Sequence, residues 1–386
     1  MVTQWMFRHR GNPATLTSVA LLAISIWAAQ WAPPSQIADA RTAQQCPVSG
    51  IIDRDTAWSP SACASYVVRT NVLVGAAATL TIAAGTVVRF QADRQLRVAG
   101  TLIARGSPDA RIVFTSDAAK PAPGDWNALE FIGPGAIFDE LGQYLRGSIL
   151  QYATVEYGGS GDGAVVVNAG APFIDHCWIR DNRGNGIFKQ VNINVTEGAD
   201  TRITNNRVEN NSAHGVHFGN GGTGTVSGNE IIGNGLYGIH APSNGLTMRL
   251  DVTGNTVRFN RGGGIYYDAD GVIIDNKVIQ NKGEGIVAAS LFFDPVLRGN
   301  DLVDNVSAGG SHIELRVSWP MDPGRPQAFN AEGNWWGTVD RDAIAARILD
   351  FEDDPELRPV SFEPYLVAPA HGIPDYRCYL PWAGSK

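Results

Sequence analysis

The chain has 386 residues, 44 of them Gly, with charged residues at only 18%. That balance excludes a coiled coil or a charged helical bundle, in which helix-forming charged residues dominate. A net charge of −8 without a Lys/Arg cluster excludes the basic face that a DNA- or RNA-binding protein presents, so no nucleic-acid partner is expected.

In chain order, residues 1–40 read as a signal peptide. Arg8 and Arg10 form a positive n-region, Leu16 to Trp27 an apolar stretch, and Ala38-Asp39-Ala40 an A-x-A cleavage site. Pro33, Pro34 and Ser35 end the apolar run before it reaches the ~20 residues of a membrane span. The expected location is therefore exported: periplasm, cell surface or outside the cell, with no membrane span after cleavage. All four cysteines follow this segment. Cys46 and Cys63 flank a short polar stretch within an N-terminal cap, residues 41–66, and are the natural disulfide pair in an oxidising compartment, although four cysteines allow three connectivities.

From residue 67 to 336 the sequence repeats. The pattern is hydrophobic-x-x-Asn-x-hydrophobic-x-x-Asn-x-x-x-Gly-Ile/Val. One copy is Ile203, Asn206, Val208, Asn211, Gly215, Val216, and the next is Val226, Asn229, Ile231, Asn234, Gly238, Ile239. Copies follow from Val252 and Ile273; an earlier one starts at Ile174 with Cys177 in the first Asn slot, and a later one at Leu297 loses register at Gly309-Gly310. The repeat is 29 residues from Asn182 to Asn211 but 21 from Asn260 to Asn281. The core spacing is kept while the segment after Gly-Ile varies, as in a solenoid whose loops grow on one side. Leu80-Thr81-Ile82, Val87 to Phe90, Leu96 to Leu102, Ile112 to Ser116 and Trp126 to Phe131 extend a looser version of the pattern toward the N-terminus.

The fold class is all-β: a single-stranded right-handed parallel β-helix of about eleven coils, with short N- and C-terminal caps. Coils rise by one strand spacing, ~4.8 Å. Asn206, Asn229, Asn255 and Asn276 should form one stack, with Cys177 in its next slot as a buried small hydrophobe and Cys378 without a mate. Asn is expected at these turns because it tolerates left-handed backbone, and Gly before Ile/Val because it permits a tight bend. Residues 337–386 read as a C-terminal cap. Trp335, Trp336, Phe362 and Tyr365 close the apolar interior, and Asp340 caps a helix over residues 341–349. Exposed Trp335 and Trp336 would instead bind an aromatic-seeking ligand.

The Asn/Gly-Ile repeats from Ile174 to Ile313, the Leu80-Thr81-Ile82 and Ile112-Val113-Phe114-Thr115-Ser116 segments and Gly333-Asn334-Trp335-Trp336-Gly337 carry a resemblance. The sequence resembles the bacterial right-handed parallel β-helix repeat proteins of the pectate-lyase-like superfamily. That group includes polysaccharide lyases and hydrolases, adhesins and a copper-insertion factor, so the resemblance specifies the fold and leaves the activity open.

It also implies that a substrate lies across the sheet holding the Gly-Ile strands. On those strands the residue after Ile/Val faces out, which gives a column of Phe188, His217, His240, Tyr266, Val287 and Glu314, with Asp268, Ala289 and Arg316 two positions on. Phe, His and Tyr rings can stack on sugars and bond their hydroxyls. The expected ligand-binding residues are therefore Phe188, His217, His240, Tyr266, Asp268, Glu314 and Arg316, and the expected partner of a monomeric chain is a polysaccharide or surface glycan. The same residues also fit ordinary surface decoration of a purely structural or adhesive rod.

Catalysis by a lyase or glycoside hydrolase of this fold would need converging carboxylates and a base. Asp268 and Asp270 with Lys189 or Arg316 are only a fragment of such a set, so catalytic residues and cofactors remain unassigned. His217 and His240 fall at equivalent positions of consecutive repeats, with His214 close by and Tyr266 next, an arrangement two imidazoles can use to share Cu or Zn.

Overall fold

The computed structural model describes residues 44–190, 200–219, 222–243, 248–289, 293–318 and 328–372. The signal segment and Cys378 lie outside them. The chain is a right-handed parallel β-helix whose coils each carry three short strands. In one coil these are Thr201–Thr204, Arg207–Glu209 and Val216–Gly219. The first position builds a ten-stranded parallel sheet, from Thr56–Trp58 to Val296–Arg298. The second and third positions build two further faces, joined into one sheet because the long strand Ser65–Val74 pairs with both Val87–Phe90 and Leu96–Val98. Parallel pairing already starts at Gln45–Ile52, which lies along Ser65–Val74, inside the stretch read as a cap.

The periodicity of two explains the interior. In this coil Ile203, Val208, Val216 and Phe218 point inward and are fully buried, as are Val226, Ile231 and Ile239 in the next. Each such side chain contributes roughly 1.5–3 kcal/mol relative to exposure. The disulfide between Cys46 and Cys63 is present, with Cα atoms 5.8 Å apart.

Two amide ladders run along the turns. The first links Asn206, Asn229, Asn255, Asn276, Asn300 and Asn334, each one coil from the next. The second links Asn182, Asn211, Asn234, Asn260, Asn281 and Asn305. The unit is the same throughout. Asn229 Nδ2 donates to Asn255 Oδ1 at 2.9 Å and to Ile203 O at 2.9 Å, and Asn229 N donates to the same Oδ1 at 2.9 Å. Every polar atom of a buried amide is thereby matched.

Cys177 stands in the first ladder's next slot. It is free and buried, its N–H donates to Asn206 Oδ1, and its thiol donates to Leu150 O at 3.2 Å in place of an amide. Burial pushes that thiol up to about 12.

Two local expectations are corrected. The left-handed residue is the one before each ladder Asn (Asn205, Asn210, Gly228, Gly233, Gly254, Phe259), so the ladder position is selected for its amide rather than its backbone. The Gly before Ile/Val has ordinary φ and is required by space. A Cβ on Gly186 would sit 2.7 Å from Gly215 O, and one on Gly215 2.6 Å from Ile231 Cγ2.

At the C-terminal end Trp336 is fully buried, with Phe362 and Tyr365 packed beyond it. Trp335 is only half-buried, bridging to Asp301. Asp340 caps the helix as expected, accepting from Asp342 N and Ala343 N, but the helix is only Arg341–Ala345. Residues Ile348–Leu349 instead form a strand on Leu315–Val317, adding a rung where a helical turn was expected.

Candidate functional site

The face built from the third strand of each coil (the third sheet) places the predicted column in register. Phe188 pairs with His217, His217 with His240, His240 with Tyr266, Tyr266 with Val287, and Val287 with Arg316. Above Phe188 the column continues through Val166 and Glu130 to Arg97. The rings touch from rung to rung. Centroids are 5.0 Å apart for Phe188–His217, 4.8 Å for His217–His240 and 4.9 Å for His240–Tyr266. They are half-buried against one another rather than freely exposed.

A second row lies beside the first. His214 precedes Gly215 and Tyr237 precedes Gly238, so both hold the position before the repeat Gly. His214 stacks on His240 at 4.2 Å with the rings 7° from parallel, and Tyr237 N donates to His214 Nδ1 at 3.2 Å. Sequence reasoning missed Tyr237. The signal was available as a constant offset from the repeat Gly, but only the fold turns that position toward the column.

Burial dominates the electrostatics. It holds His214 down at about 3 and His240 at about 4, with the neighbouring imidazoles adding to the effect, and it lowers His217 against the opposing pull of Asp162. All three rings are neutral at neutral pH. Burial raises Tyr237 to about 12 and also raises Tyr266.

The remaining predicted residues divide. Asp268 sits beside Tyr266 and accepts from Ser243 Oγ at 2.6 Å. Arg316 closes the column and pairs with Glu284 at 3.4 Å. Glu314 is not in the column. The extra residues at Gly309-Gly310 move the strand to Leu315–Val317, so Ile286 pairs with Leu315 and the outward residue is Arg316. Glu314 is fully buried instead and ends the second ladder, its carboxylate accepting from Asn305 N and Nδ2. Ala289 is buried. Lys189 faces inward between Val167 and Phe218, and burial lowers it to about 8. Among the described residues no pair of carboxylates converges over the rings.

Residues 50–165 match the family described as pectate-lyase like beta helix domain, and residues 191–318 match the right handed beta helix region. No curated protein matches by sequence. Among solved structures the chain is similar to the periplasmic alginate epimerase AlgG at 14% identity, covering 78% of this chain and 76% of that one, with a TM-score of 0.36. A double mutant of the same epimerase gives 14% identity, the same coverage and 0.37. At those values the likeness carries no argument about activity. The coil architecture and the two matched regions together identify the chain as a right-handed parallel β-helix protein, with a pectate-lyase-like β-helix match confined to residues 50–165.

Proposed function

We propose that this is an exported protein that binds a polysaccharide along the outer face of its third sheet, across Phe188, His217, His240 and Tyr266. The observation that carries the reading is the unbroken run of aromatic rings, one per rung over four adjacent strands. Such a strip offers apolar ring surface to sugar faces, while the imidazole nitrogens and the Tyr266 and Tyr237 hydroxyls meet sugar hydroxyls. Export is supported by the Cys46–Cys63 disulfide and by the reading of residues 1–40 as a signal peptide.

The charge pattern favours a neutral glycan over a strongly anionic one. The imidazoles are uncharged, Lys189 turns away, and Arg316 is paired to Glu284. Screening on a glycan array followed by calorimetry tests the reading. Wild-type chain should bind a neutral glycan, and His240→Ala with Tyr266→Ala should abolish that binding while the fold persists. Undiminished binding by the double variant would sink the proposal.

A lyase reading has one observation in its favour: the rings of His240 and Tyr266, two side chains able to transfer protons, lie 4.9 Å apart on adjacent rungs. Appearance of unsaturated sugar absorbance on incubation with the bound glycan would select it.

A further inference from the structure

We infer that His214, His217 and His240 together form a site for one divalent transition-metal ion with a preference for nitrogen donors, of which Zn²⁺ is the ion that fits. One ring nitrogen of each residue lies within 4.8 Å of the others. An ion ~2.0–2.1 Å from three imidazole nitrogens needs them roughly 3.3 Å apart, so each half-buried ring has to turn inward by about an ångström or less. The scaffold is suited to this. His217 and His240 occupy paired positions on adjacent rungs, and His214 reaches the same point from the neighbouring row.

The three donors are not equivalent. His240 Nδ1 is a buried ring nitrogen with no hydrogen-bond partner among the described residues, and in the tautomer that leaves its lone pair free an ion would satisfy it. His214 has the most to give up, since the lone pair on its Nδ1 takes the Tyr237 N–H. Its contribution is therefore the smallest of the three. Three imidazole donors resemble the protein ligand set of a zinc site that keeps a fourth, exchangeable position. Ca²⁺ and Mg²⁺ do not fit, because the set contains no oxygen ligand.

The inference uses the same face as the glycan reading but does not need a glycan. The test is titration of the full chain, prepared without a polyhistidine tag, with Zn²⁺ by calorimetry and with Co²⁺ by visible absorption. One equivalent should bind and give the intense bands of a low-coordinate cobalt ion. His217→Ala and His240→Ala should each weaken Zn²⁺ at least about tenfold, the scale at which even an outer-shell change is felt. His214→Ala should weaken it less, and His312→Ala and His371→Ala should leave it unchanged. Where an Ala variant loses its circular dichroism spectrum, His217→Asn and His240→Asn serve instead. Absence of one-equivalent binding, or binding that survives the loss of both His217 and His240, overturns the site. Glycan binding is measured separately after chelation. A chain that binds Zn²⁺ but no glycan defeats only the glycan reading, and one that binds glycan but no Zn²⁺ defeats only this inference.

Discussion

From Asn182 to Asn334 the coils are braced by buried amides, whereas from Thr56 to Val155 equivalent coils close over stacked rings. In the first of these regions each turn repeats one hydrogen-bonding unit, and the interior is built mainly of Ile and Val, with Phe218 and Tyr267 among them. In the second there is no Asn ladder. Phe90 stacks on Trp126 at 4.2 Å, Trp58 on Tyr66 at 4.8 Å, and single bonds such as Leu102 N to Ser148 Oγ take the place of a column. The outward face of the third sheet differs in parallel. It carries Leu73, Arg97, Glu130 and Val166 in the N-terminal half, with Arg97 and Glu130 paired at 2.9 Å, and then rings from Phe188 to Tyr266. Regular ladders hold successive coils in one register, and that register is what lets four rings from four repeats meet in an unbroken run.

The sharpest way to break this comparison is to cut each brace. Asn255→Ala removes the partner of Asn229 N and Nδ2 and strands Val226 O, all buried. It should cost about 3–5 kcal/mol in chemical denaturation. Trp126→Ala, with its ring fully buried against Phe90, should cost a similar ~3–5 kcal/mol through a cavity. The two should combine additively, while Asn255→Ala with Asn276→Ala should be strongly non-additive, because those two share a ladder. Additivity within the ladder would mean that it is not a connected brace.

The end of the second ladder gives a pH-dependent test. Burial pushes Glu314 up from its ordinary 4.5 to about 7, against the hydrogen bonds from Asn305 and the charge of Arg347. Between those values the folded state holds a proton that the unfolded state has lost. The folded chain therefore loses stability as pH rises through that window, by at most about 3 kcal/mol. Glu314→Gln should flatten this slope and leave the chain more stable than wild type at pH 8. An unchanged slope would place the titration elsewhere.

A smaller effect is expected at the rings. Single replacement of His240 or Tyr266 by Ala should cost about 1 kcal/mol, more than for a free surface residue, because each ring packs on its neighbours. A cost indistinguishable from zero would mean the strip is not a packed unit. The smallest effect should come from Cys177→Asn. Its amide can take over the thiol's bond to Leu150 O and extend the ladder by one rung, changing stability by less than about 1 kcal/mol. A large loss there would show that the amide cannot continue into the N-terminal half.

The sequence by itself determined the repeat, the ladder membership of Asn206, Asn229, Asn255 and Asn276, the place of Cys177 among them, and the outward column from Phe188 to Tyr266. Each of these follows from local spacing, since a strand alternates its faces every residue and equivalent positions stack one coil apart. Tertiary structure alone decided what spacing does not encode. The extra residues at Gly309-Gly310 shift the last repeat, sending Glu314 inward and Arg316 outward, because register is set by pairing with the preceding coil rather than by counting from Asn305. Tyr237 and His214 join the rings because the bend before the repeat Gly turns them onto the third sheet. The neutral, low-pKa character of His214 and His240 arises from burial and then from imidazole neighbours 23 and 26 residues away in sequence, in contact only once the coils have stacked. Burial and proximity depend on the packed neighbourhood, which no single repeat contains.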